Sequence, residues 1–113
     1  MENVNQLIED NIDNEELGVA FIADRMCMSK PTLYRKMMAI VGVTTNEYLR
    51  HMRLMKSIEL YQTGLYNITQ LAELTGFGMR SSYSKAFKKE FGVSPKEYFN
   101  LHFPHSPHIN DDE

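Results

Sequence analysis

The sequence predicts an all-α protein, and three observations carry that expectation. Apolar residues recur along the 113-residue chain at intervals of three and four, the spacing of one helix face. Stretches alternating apolar with polar residues, the mark of a half-buried strand, are poor. The phrase GVTTNEYL, from Gly42 to Leu49, returns as GVSPKEYF, from Gly92 to Phe99, so the helices fall into two similar sets.

Val4, Leu7, Ile8 and Ile12 predict an amphipathic first helix ending near Asp13-Asn14. A second starts after Gly18 and buries Val19, Ile22, Ala23 and Met26. Ser29 is a preferred N-cap for a third, running to about Val41, with Pro31 in the first turn where a missing N–H matters little. Gly42 closes it. Thr44 or Thr45 then caps a longer helix through Tyr48, Leu49, Met52, Met55, Ile58 and Tyr61, stopping at Gly64. At roughly 18 to 20 residues this helix is about 30 Å long. Asn67 caps the short helix ITQLAELT, stopped by Gly76. A helix from about Arg80 to Phe91 is closed by Gly92, and Ser94-Pro95 opens a last one to about Leu101.

The repeat reaches back beyond its opening phrase. A shift of 49 sets Gly18-Val19 on Asn67-Ile68 and Ile22-Ala23 on Leu71-Ala72. After the turn the shift is 50, and Arg35 falls on Lys85, Met37 on Phe87. Each copy reads short helix, tight turn, second helix, Gly stop, capped helix, with one extra residue in the second turn. That is the helix-turn-helix plan, and Ala23 and Ala72 are small enough for the second helix to cross closely. The expected organisation is an acidic N-terminal helix packing on the first unit (1–16), a first helix-turn-helix (17–43), a linker helix (44–64), a second helix-turn-helix with its closing helix (65–101), and a flexible tail (102–113).

Composition narrows the function. The chain is 42% apolar and 24% charged, as a soluble globular protein is, and no apolar run spans a bilayer. The acidic N-terminus is no signal peptide, and a cytoplasmic location is expected. A single cysteine, Cys27, forms no internal disulfide and is read as a small buried thiol. The eight methionines are read as adaptable core filler. There is no glycine-rich phosphate loop, paired-cysteine metal frame or catalytic carboxylate pair, so neither an enzyme nor a cofactor is expected. His102, His105 and His108, separated by Pro104 and Pro107, would line one face of a polyproline II helix, but a floppy chelate is a poorer reading than a frayed tail.

The net charge of −3 hides an asymmetry. Residues 1–28 hold seven acids against Arg25, residues 29–98 hold eleven bases against five acids, and the tail is acidic again. A basic body between acidic ends fits a nucleic-acid binder. In a helix-turn-helix the second helix enters the major groove with its N-terminal half. Here those halves are SKPTLYRK (Ser29 to Lys36) and RSSYSK (Arg80 to Lys85), both basic and hydroxyl-rich. The expected base-reading residues are Lys30, Pro31, Tyr34 and Arg35 in the first copy and Arg80, Ser81, Ser84 and Lys85 in the second. Leu33, Met37, Tyr83 and Phe87 face inward. Arg35 and Arg80 lead, because arginine reads guanine through paired hydrogen bonds. Ser29, Thr32, Lys36, Arg50, Asn67, Lys88 and Lys89 are the expected phosphate contacts, which position without specifying. A rod near 30 Å suits successive major grooves about 34 Å apart. The rival reading is a helical protein-interaction module whose basic face meets an acidic partner and has only non-specific nucleic-acid affinity.

The stretches LYRKMMAIVGVTTNEYLRHMRL, ITQLAELTGFG and SYSKAFKKEFGVSPKEYF resemble the C-terminal DNA-binding domain of the AraC/XylS (arabinose-regulator-like) transcription factors over about Leu17 to Tyr98. The resemblance implies seven helices in two homeodomain-like helix-turn-helix subdomains on a long linker helix. It also implies double-stranded promoter DNA as partner and an upstream regulatory or receiver domain, and it allows RNA polymerase as a further partner. The isolated segment is expected to be a monomer and the intact regulator a dimer. The wording of MSKPTLYRKM and NEYLRHMRL is similar to versions fused to hybrid two-component sensor-regulators, whose sensor sits in a membrane. Three departures stand out, the first being the acidic stretch of residues 1–28, which suits docking against a partner domain rather than DNA. Gly78-Met79 replaces a polar capping residue, and Ser82-Tyr83 replaces an aromatic pair.

Overall fold

Side-chain caps decide where most of the helices begin. The computed structural model describes residues 2–104, and these form seven helices and no strand. Helix α1 spans Glu2–Asp10 and α2 Val19–Arg25. Helix α3 (Lys30–Ile40) starts where Ser29 Oγ accepts from the Thr32 N–H. Helix α4 (Thr45–Tyr61) is opened by Thr44, α5 (Ile68–Leu74) by Asn67, and α7 (Pro95–His102) by Ser94. Each of these three caps is reciprocal. The cap side chain accepts from the backbone N–H three residues on, and Glu47, Gln70 or Glu97 reaches back to the cap's own N–H. Helix α6 (Arg80–Phe91) alone among the long helices after α1 starts at a residue, Met79, that offers no side-chain cap.

Three expected boundaries move. Helix α1 stops at Asp10 because the Asn11 side-chain amide donates to the Leu7 carbonyl, and the chain then turns through Asn11–Leu17 by short backbone bonds. Helix α4 stops at Tyr61, and Thr63 Oγ1 bonds back to the Leu60 carbonyl ahead of Gly64 at φ 79°. With 17 residues it is about 25 Å long rather than 30. Helix α7 runs through His102, whose ring lies 4.2 Å from that of Tyr98, and Phe103 packs against the core. His105 and His108 lie outside the described residues.

Helix α4 serves two cores. Its Leu49 joins Val4 and Ile8 of α1, Ile22 and Ala23 of α2, and Leu33 and Met37 of α3. Its Leu54, Ile58 and Tyr61 join Leu71 and Ala72 of α5, Tyr83 and Phe87 of α6, and Phe99 of α7. The alanines crossing the second helix of each unit are buried, at 4% exposure for Ala23 and 0% for Ala72. The second core is aromatic. Tyr61 and Phe99 stack at 3.8 Å and 8°, and Phe87 meets Tyr83, Phe91, Tyr98 and Phe99 at 4.6–5.7 Å. The molecule is elongated, 45 × 23 × 23 Å, as two units on one rod must be.

Two sequence expectations fail here. Cys27 is exposed, in the left-handed position (φ 58°) of the first turn between α2 and α3. The methionines are not all core. Met37 is fully buried and Met26, Met28 and Met52 pack partly against the first core, but Met38, Met55 and Met79 are exposed.

Candidate nucleic-acid interface

The first unit presents an ordered helix start. Ser29 Oγ donates to Thr32 Oγ1 at 2.9 Å, and Arg35 Nη2 donates to the same oxygen at 3.4 Å. The Arg35 guanidinium is therefore drawn back along α3 toward its N-terminal turn. Lys30, Pro31, Tyr34, Arg35 and Lys36 are exposed, and Leu33 and Met37 point into the core at 1% and 0% exposure. A tyrosine 53% exposed on a basic face is available for contact.

In the second unit Ser81 and Lys85 are exposed, and Arg80 and Ser84 are half-buried. Tyr83 and Phe87 face inward at 0% exposure. The Tyr83 hydroxyl donates to Ser57 Oγ of α4 at 2.8 Å, and Ser57 donates in turn to the Leu54 carbonyl at 2.6 Å. Burial pushes the Tyr83 phenol well above its ordinary pKa, and the Ser57 bond offsets this only in part. Tyr83 thus fixes the rotation of α6 about its axis, and with it the outward direction of Ser81 and Lys85.

The residues expected at phosphates divide. Lys36, Lys88 and Lys89 are exposed cations. Ser29, Thr32 and Asn67 hold helix starts, and the Asn67 oxygen is taken up by the Gln70 N–H. Arg50 and Lys89 come together across a cleft of about 530 Å³ between α4 and α6, which Glu47, His51, Glu90 and Val43 also line. His51 Nδ1 and a Glu90 carboxylate oxygen bridge it. The Thr44 backbone and side-chain hydrogen bonds hold the Glu47 carboxyl below its ordinary range, and Arg50 and Lys89 add to that. Sequence reasoning missed Arg53, a buried cation of α4 that reaches the Asn14 carbonyl, because its partners lie far away in sequence. It also missed the reciprocal caps, which the T-x-x-E, N-x-x-Q and S-x-x-E spacings do carry. No helix of the described residues is long and apolar enough to cross a membrane.

A helix-turn-helix domain family matches residues 22–100. Histidine kinase P4 of Formosa agariphila is 33% identical over 95 residues, 84% of this chain and 7% of the kinase. The HTH-type transcriptional regulator AlkR of Acinetobacter baylyi is 36% identical over 80 residues, 71% of this chain and 26% of AlkR. The chain thus spans a small part of the curated relatives it matches. The C-terminal domain of AraT, a response regulator from Geobacillus stearothermophilus, superposes with a TM-score of 0.82 at 25% identity, covering 99% of this chain and 88% of that one. The chain belongs to the AraC-type helix-turn-helix family of DNA-binding transcription regulators.

Proposed function

We propose that this chain reads double-stranded DNA in two blocks, with the N-terminal halves of α3 and α6 in successive major grooves of one duplex face. The observation that carries this reading is the pair of basic, hydroxyl-bearing outward faces held on one 17-residue helix in a molecule 45 Å long. The rod alone, about 25 Å, is shorter than the roughly 34 Å between grooves, and the two units extend beyond its ends. Arg35 and Arg80 are the principal base readers, supported by Lys30, Pro31, Tyr34, Ser81, Ser84 and Lys85. Lys36, Arg50, Lys88 and Lys89 meet phosphates, and Ser29, Thr32 and Asn67 set the helix ends that approach the backbone. The likeness to a histidine kinase and to a response-regulator domain favours an output module driven by an upstream receiver. Dimeric action of the intact regulator is a further part of the proposal.

The test is selection of bound duplexes from a random pool, repeated with Arg35→Ala and Arg80→Ala. Two enriched blocks about one helical turn apart are expected, each relaxed by one substitution at about 1–3 kcal/mol of discrimination. Enrichment of one block alone would reduce the second unit to a positioning role. Binding that falls steeply with salt and enriches no sequence would sink the reading.

A further inference from the structure

A single helix holds two units at a fixed angle only if neither twists on it. Arg53 sits midway along α4, between the two cores, at 9% exposure. Its Nη2 donates to the Asn14 carbonyl at 2.7 Å, which ties α4 to the loop between α1 and α2, in the first unit. The same guanidinium lies over Gly76, in the turn of the second unit. A Cβ on Gly76 would stand 2.7 Å from Arg53 Cζ and Nη2 and 2.5 Å from the Ile12 carbonyl oxygen. Two residues on, a Cβ on Gly78 would stand 2.8 Å from Glu15 Oε1. Loop, guanidinium and turn are therefore in contact without a gap.

The internal repeat supplies a control. Cys27 and Gly76 occupy the same place in their turns, both left-handed at φ 58° and 85°, and both turns close with a bond to the crossing alanine's carbonyl. The first turn accepts a cysteine there because that side chain points to solvent. The second turn has no such room, because the first unit's loop fills it. Glycine at 76 is thus required by the approach between units, since the equivalent turn of the first unit holds a side chain at the same left-handed position.

The geometry points to Arg53 as a positioning residue that sets the separation and angle of the two reading units, by clamping the Ile12–Glu15 loop against the Gly76–Gly78 turn. This rests on the two-block reading above. Arginine suits the task chemically. Its planar fork lies flat on a glycine and keeps its charge when buried. Burial lowers the Arg53 pKa and Glu15 draws it back up, and the guanidinium Nε has no hydrogen-bond partner. An uncompensated nitrogen of that kind is a cost to stability, so filling space is a poor account of the residue: an apolar side chain of similar volume would fill it with less desolvation.

That contrast defines the experiment. Arg53→Met keeps the volume, and Gly76→Ala drives the turn away from Ile12. Circular dichroism melts first establish that each variant is folded. Spin labels on native Cys27 and on Glu73→Cys, both exposed, then report the distance between units in the free protein. The selected duplex is finally lengthened between its blocks by one base pair at a time, each turning one block by roughly 34°. The expected result is a narrow distance distribution in the parent that broadens in Arg53→Met. Alongside it, the parent loses about 10²-fold in affinity on a lengthened duplex, and Arg53→Met loses far less between the two duplexes. An unchanged distribution in a folded Arg53→Met overturns the clamp, as does a broadened one with spacing selectivity intact. A parent that engages only one block sinks the two-block reading instead, and the distance measurement still decides whether Arg53 holds the units. Where Gly76→Ala does not fold, Arg53→Met alone carries the decision.

Discussion

The two units share a plan and are built from different materials. In the first, α3 starts at a hydrogen-bonded cap, where Ser29, Thr32 and Arg35 are linked, and the buried core is aliphatic apart from Met37. In the second, α6 starts at Met79 without a side-chain cap, but its inner face carries Tyr83 and Phe87 in a network of rings. The first unit's helix is held at its start as well as along its inner face, and the second along its inner face alone. An inner face of packed rings thus accompanies the missing cap, and a repeated sequence need not repeat the interactions that hold it.

The largest test of that contrast compares Phe87→Ala with Leu33→Ala. Loss of a ring with four aromatic neighbours should cost about 3–5 kcal/mol, and the leucine about 2–5 kcal/mol toward its lower end. Denaturant unfolding measures both, and equal losses would remove the aromatic network as the second unit's distinguishing support. At intermediate size stands an exchange of caps. Ser29→Ala should destabilise by about 0.5–2 kcal/mol, and Met79→Ser should add stability of up to about 1 kcal/mol if α6 lacks only an end. A neutral Met79→Ser would mean that side-on packing already fixes that helix fully.

The smallest effect is a pH dependence at the junction. Glu47 has a folded pKa below its ordinary 4.5, caused first by its hydrogen bonds to Thr44. Its contribution is therefore complete above about pH 4.5 and is lost as pH falls through the lower folded value. Melting points followed from neutral pH down to about pH 3 should fall less in Glu47→Gln than in the parent over that last acid interval. Identical slopes would show that the Thr44 cap is not what the acid side chain supports.

Much of this was legible in the chain. Ser29, Pro31 and Gly42 mark α3 because each acts on its immediate neighbours, and the limits of α6 follow from Gly92 and the ring spacing for the same reason. The inward set Leu33, Met37, Tyr83 and Phe87 follows from helical period alone. What escaped depends on distant partners. The Asn14 carbonyl that ends the first turn region is held by Arg53, 39 residues away, and the exposure of Cys27 follows from a left-handed backbone that apolar periodicity cannot express. Among the phosphate candidates, Ser29, Thr32 and Asn67 already make hydrogen bonds at helix ends, and the sequence shows a polar side chain without showing what uses it.

The buried bond between Tyr83 and Ser57 has a consequence for how such regulators diversify. It lies wholly on the inward side of α6, so the outward residues can change without disturbing what aims them, and exposed substitutions of that kind usually shift stability by less than about 0.5 kcal/mol. On the proposed reading, target preference and foldability then occupy separate letters of one helix. Outward substitutions on α6 would then change the proposed target while leaving the fold intact at every step.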